Sequence, residues 1–189
     1  MGEGNIFTND EIQYLLRLAR STMEARLEKK SLPDVSGCSA KLREPASCFV
    51  TLHTADGGLR GCIGAMEAYE PLVENVVHNA INSAFRDPRF MPVSSLSELE
   101  GLVVEISVLT PPEDVDGPDK FVVGEHGVIM FCAGRSAVFL PQVAPEQGWD
   151  RETTLSHLSM KAGLSPDAWR SQDARFKVFR AIVFSEKDL

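Results

Sequence analysis

The order in which two hydrophobic periods follow one another restricts this chain more than any other feature of its sequence. Ile12, Leu15, Leu16, Ala19, Met23 and Leu27 recur at the 3.6-residue spacing of a helix. Residues 46–54 then switch to a period of two, with Cys48, Val50 and Leu52 on one face and Ser47, Phe49, Thr51 and His53 on the other. Leu72, Val73, Val76, Val77, Ala80, Ile81, Ala84 and Phe85 return to helical spacing, and residues 102–109 return to alternation. Residues 127–132 and 136–140, joined through Ala133-Gly134-Arg135, carry the pattern of a hairpin. Leu155, Leu158 and Ala162 form a last helical stripe, and the apolar segment at 176–184 reads as one well-covered strand. Because strands and helices do not alternate as βαβ units, a doubly wound parallel sheet is excluded. The expected fold is α+β, a mainly antiparallel sheet flanked by helices in a single domain over residues 1–189.

Start and stop signals agree with this division. Thr8 and Glu11 form a capping-box pattern, with Phe7 and Ile12 placed as a hydrophobic staple. Pro71 suits the first turn of a helix that Asp87-Pro88 ends, and Asp87-Pro88-Arg89-Phe90 has the makings of a stop with a salt bridge. Asp150 caps the last helix and Gly163 closes it. Residues 31–45, with two prolines and a Ser-Gly-Cys-Ser stretch, read as loop.

A formal net charge of −8 makes the molecule as a whole repel polyphosphate backbones, so nucleic-acid binding ranks last among the function classes. Cys38, Cys48, Cys62 and Cys132 show neither a CxxC pair nor a neighbouring His-x-x-x-His, so no zinc ribbon, redox dithiol or other metal site is expected. No apolar run has the length of a bilayer span, and Met1-Gly2-Glu3-Gly4-Asn5 lacks a leader pattern. A cytoplasmic protein with free thiols is therefore expected.

Chemistry concentrates on Leu59-Arg60-Gly61-Cys62-Ile63-Gly64, read as a loop between a strand and a helix. Gly61 and Gly64 there permit sharp turns and close approach, and Arg60 or a nest of amides would favour a thiolate at Cys62. Cys62 is then a nucleophile or ligand contact; the competing reading is a small buried hydrophobe in a turn shaped by glycine. His126, at the mouth of the hairpin, is the general-base candidate, with a hydrogen-bonded structural histidine as the alternative. His53, His78 and His157 are weaker candidates, His53 lying near a strand end and His78 on the polar side of its helix.

Glu105 sits mid-strand beside Ser107 on the same face, and a carboxylate there asks for a partner, for which Arg60, Arg86 and Arg89 are the available cations. Gln142, after Pro141, offers an amide that both donates and accepts.

Taken together, Leu59-Arg60-Gly61-Cys62-Ile63-Gly64, Ser83-Ala84-Phe85-Arg86-Asp87-Pro88-Arg89-Phe90, Glu105-Ile106-Ser107-Val108-Leu109, Gly124-Glu125-His126-Gly127, Leu140-Pro141-Gln142-Val143, Gln147-Gly148-Trp149-Asp150 and Lys161-Ala162-Gly163 resemble the AMMECR domain family. Its bacterial members are called AmmeMemoRadiSam system protein A. The resemblance implies an α+β fold with a larger sheet-bearing part and a smaller lobe. It also implies a three-part system with a Memo-like protein, related to metal-dependent dioxygenases, and a radical S-adenosylmethionine enzyme. It assigns the chain no cofactor of its own and no reaction. Many relatives carry a cysteine where this chain has Ser159, which speaks against a mechanism needing a second thiol.

These residues support two expectations. In the first, Cys62 contacts or attacks a small-molecule or protein substrate, Arg60, Gly61, Gly64, Ser107, Arg89 and Gln142 bind it, and His126 or Glu105 handles protons. In the second, the same segment docks a partner protein without catalysis.

Overall fold

The structure, a computed structural model, describes residues 7–189, so the N-terminal segment read for a leader lies outside the described residues. Two compact units divide the chain, the first made of Met1–Leu109 and Ile182–Leu189, the second of Thr110–Ala181.

In the first unit, helix α1 (Asn9–Leu27) opens on the expected capping box, with Glu11 N–H donating to Thr8 Oγ1 at 3.2 Å and Thr8 N–H to Glu11 at 2.9 Å. Its apolar stripe buries Leu15, Leu16, Ala19 and Met23, each worth about 1.5–3 kcal/mol for the larger side chains. The helix ends on Lys29 at a φ of 58°, where Lys30 N–H reaches back to Ala25 O. Helix α2 (Leu72–Phe85) follows Pro71 and stops at Arg86, and the short α3 (Leu96–Glu100) is capped by Ser95. Strands β1 (Cys48–His53), β2 (Leu59–Gly64), β3 (Val103–Leu109) and β8 (Ala181–Ser185) form an antiparallel sheet in the order β2-β1-β3-β8. Cys48, Val50, Leu52, Val104 and Ile106 face the core shared with α1 and α2.

In the second unit, β4 (Glu113–Val115), β5 (Gly127–Cys132), β6 (Arg135–Phe139) and β7 (Arg175–Phe179) form a second antiparallel sheet, ordered β4-β7-β5-β6. The β5–β6 hairpin turns at Ala133 and Gly134, whose φ values of 49° and 72° match the twist of the paired strands. Helix α4 (Val143–Gln147) precedes α5 (Arg151–Lys161), which Asp150 caps by accepting Thr153 N–H at 2.8 Å. Val128, Met130, Leu155, Leu158, Trp169 and Phe176 centre a second core.

The α+β, antiparallel reading holds, with the strands shared between two sheets. Residues 176–184, expected as one strand, are two: β7 and β8 belong to different sheets and part at Arg180. Arg180 N–H donates to Thr110 Oγ1 at 2.8 Å, and Thr110 N–H to Arg180 O at 2.9 Å. A tertiary contact from residue 110 thus ends a strand that local pattern would continue.

Candidate functional site

The segment expected to be a glycine loop is strand β2, and neither Gly61 nor Gly64 has a left-handed φ. Both glycines serve close packing instead. A Cβ on Gly61 would lie 2.2 Å from Ser83 O in α2, and one on Gly64 would lie 2.3 Å from Phe49 Cγ and 2.5 Å from Cys48 O. The helix therefore rests directly on the strand backbone at Gly61, and the Phe49 ring covers Gly64. An anion nest is not formed here, because successive N–H groups of a strand point to opposite edges.

The strand geometry puts Cys62 in a row. Cys62 pairs with Thr51 across β1, and Thr51 pairs with Glu105 across β3, so the three side chains project from one face of the sheet. Phe49 and Ser107 form the neighbouring row on that face, with Ser107 buried. Thr51 Oγ1 donates to Cys62 Sγ at 3.2 Å. Of the four cysteines, Cys62 alone is partly exposed, while Cys38, Cys48 and Cys132 are buried. Burial pushes the Cys48 thiol up to about 12, which keeps it protonated at neutral pH.

β2 is an edge strand, and the segment after α2 covers its outer edge at Cys62. Cys62 N–H donates to Asp87 Oδ2 at 2.9 Å, and Arg89 Nη2 donates to Cys62 O at 3.0 Å. Arg89 also holds Asp87 directly, from Nε to Oδ1 at 3.0 Å and from Nη2 to Oδ2 at 2.7 Å. The Arg89 guanidinium, with the backbone donors Cys62 and Arg89, keeps the buried Asp87 carboxyl well below the usual carboxylate range, against the cost of desolvation. Both backbone groups of Cys62 are thus fixed by one ion pair, and the sulfur is held in register with Thr51.

Glu105 meets a histidine where an arginine was expected. Its Oε2 lies 3.7 Å from His53 Nε2, an atom buried without a hydrogen-bond partner among the described residues. Arg60 does not stand over the thiol. It occupies the irregularity where Leu52 pairs with Gly61 but His53 with Leu59, and its Nε and Nη2 both donate to Glu98 Oε1, at 3.1 and 2.5 Å. Ser94 N–H and then Arg60 draw the Glu98 carboxyl below its ordinary value.

His126 and Gln142 belong to the second unit. His126 Nδ1 accepts Val122 N–H at 3.3 Å and its Nε2 lies 3.7 Å from Glu125, a carboxylate that also pairs with Arg180. Gln142 is exposed and its side chain does not cap α4. Ser159 is fully buried and donates to Leu155 O at 2.9 Å.

Thr51, His53 and Asp87 were not among the favoured candidates. Alternation places Thr51 and His53 on the same face, and reading 59–64 as a strand would have added Cys62 to it. Asp87 read as a helix stop with a salt bridge, and nothing local shows its carboxylate reaching back across 25 positions to the backbone of Cys62. Among the described residues no three His, Cys, Asp or Glu side chains gather as a metal site, and no helix is long and apolar enough to cross a membrane.

The AMMECR1 family model matches residues 16–184. A protein of Methanopyrus kandleri is 43% identical over 98% of this chain and 93% of its own length. One of Methanocaldococcus jannaschii is 40% identical over 96% of this chain and 92% of its own. The crystal structure of an uncharacterised protein from Pyrococcus horikoshii superposes with a TM-score of 0.84 at 40% identity, covering 96% of this chain and 94% of that one.

Proposed function

This chain belongs to the AMMECR1 family, and we propose that it is an enzyme or enzyme component in which Cys62 contacts or attacks a substrate lying across the face of β1, β2 and β3. The observation that carries this reading is the row Cys62–Thr51–Glu105, with the protein's one accessible thiol at its head and a hydroxyl already donating to the sulfur. The reaction class is group transfer or hydrolysis through a covalent thiol adduct: sulfur adds to an electrophilic carbon, a leaving group departs with a proton, and water or an acceptor releases the product.

Glu105 stands two strands from Cys62, roughly 10 Å at about 4.8 Å per strand. It is therefore placed to move a proton on the substrate and not to take the thiol's own. His53 behind it can exchange that proton. We give this role to Glu105 and His53 in preference to His126, one of whose ring nitrogens is already occupied by a backbone amide. Arg89 and Ser107 border the same face, whereas Arg60 acts by anchoring β2 through Glu98, and Gly61 and Gly64 by allowing close packing. A substrate-binding role for Gln142 rests on its exposed amide alone. In the cell the reading places the chain with a Memo-like protein and a radical S-adenosylmethionine enzyme in the cytoplasm.

Graded alkylation followed by mass spectrometry tests the thiol. Cys62 should be labelled ahead of the three buried cysteines, and Thr51→Val should slow it while leaving the others unchanged. Labelling of Cys62 at the rate of the buried thiols, or indifference to Thr51→Val, removes the nucleophile. A second reading, a non-catalytic docking module, draws on Leu59 and Met91, which are 43% and 80% exposed on the segments around Cys62 and Arg89. Capture of the Memo-like protein and the radical enzyme that is lost on Leu59→Ser and Met91→Ser but kept in Cys62→Ser would favour docking.

A further inference from the structure

Away from the Cys62 face, the first unit carries a groove of about 390 Å³ lined by Arg26, Lys29, Lys30, Leu32, Ile81 and Arg86. Four cations on one groove are unexpected in a chain of net charge −8. One carboxylate answers them: Glu28 Oε2 lies 3.0 Å from Lys30 Nζ. Arg86 reaches only the neutral Asn82 amide, at 3.5 Å, and among the described residues no acidic group pairs with Arg26 or Lys29. Hydrogen-bond capping of α1 does not account for the four cations, because the Glu28, Lys29 and Lys30 N–H groups already take the Glu24, Arg26 and Ala25 carbonyls. Lys29 holds its place at a cost, since its φ of 58° is a position that glycine fills without strain.

The size falls within the range of about 300–1,000 Å³ found for small-molecule sites. Leu32 and Ile81 add an apolar floor beside the charges. We propose that this groove binds a phosphorylated small molecule, its dianionic group among Arg26, Lys29 and Arg86 and its carbon skeleton on Leu32 and Ile81. Guanidinium groups suit this task through paired N–H donors matched to phosphate oxygens. The site is separate from the proposed thiol chemistry and stands or falls without it.

The test is a titration of the full chain with inorganic phosphate, adenosine 5′-monophosphate and a short single-stranded RNA, followed by backbone amide chemical shifts. Saturable shifts confined to residues 26–32 and 81–86 are expected, with the monophosphate ester binding more tightly than phosphate. Arg26→Gln and Arg86→Gln should each weaken it about tenfold, the loss of one charge-assisted contact. Leu32→Ser should reduce the ester to the affinity of phosphate. These side chains are exposed, and an unchanged melting temperature confirms that each variant is folded. Shifts that merely follow ionic strength, an ester affinity untouched by both arginine variants, or tighter binding of the RNA than of the ester would each overturn the proposal.

Discussion

The Asp87 carboxylate accepts the backbone N–H of Cys62 at 2.9 Å, so the position of the one accessible thiol is set by a residue just past the end of α2. Arg89 completes the arrangement by binding both the carboxylate and the Cys62 carbonyl. Removing the carboxylate leaves the backbone N–H groups of Cys62 and Arg89 without their acceptor and the guanidinium with the Cys62 carbonyl alone. Asp87→Ala should therefore cost about 2–3 kcal/mol, measured by urea denaturation. Arg89→Ala should cost a comparable amount, since Cys62 N–H keeps its partner but the buried carboxylate loses its counter-charge and Cys62 O its donor.

The same ion pair gives stability a defined pH dependence. Asp87 titrates well below its unfolded value of about 3.9, so its contribution is complete above that value and is lost as pH falls through the folded one. Urea midpoints of the protein and of Asp87→Asn should differ most at neutral pH and converge in strongly acidic solution. A difference that grows on acidification would contradict the assignment.

Gly61→Ala places a methyl group 2.2 Å from Ser83 O, where backbone faces backbone and neither yields cheaply. A loss of about 3 kcal/mol or failure to fold is expected. Gly57→Ala meets open space but sits at a φ of 90°, so its loss of about 1–2 kcal/mol comes from strain alone. Circular dichroism melts of the two variants separate these causes.

Lys29→Gly should act in the opposite direction. Relieving the left-handed lysine at the end of α1 stabilises the protein by about 1 kcal/mol, seen as a raised melting temperature. An unchanged or lowered melting temperature would mean that the lysine stem makes contacts that offset the strain.

What the sequence made legible was local. The capping box at Thr8, the stop at Asp87-Pro88, the alternation of β3 and the β5–β6 hairpin depend on residues a few positions apart, and all are present. The fate of 59–64 depended on α2 and β1: its glycines signal flexibility when read alone, but Ser83 and Phe49 fill the space they leave. Likewise Arg60 read as a cation for the thiol until Glu98 was seen to claim it. The apolar tail gave no sign of its division, because the partner that breaks it at Arg180 is Thr110. Sequence named the sulfur; the groups that hold it became visible only through pairing.

That Thr110–Arg180 pairing also bears on the order of assembly. β3 ends at Leu109 and its sheet neighbour β8 begins at Ala181, so joining them directly would close a loop of roughly seventy residues, an entropic demand that grows with loop length. Once the segment 110–181 has collapsed on its own apolar centre, its two ends are hydrogen-bonded and that demand has already been met. A chain in which segment 110–181 folds first is therefore expected to recruit its C-terminal strand at a lower entropic cost than one in which it does not.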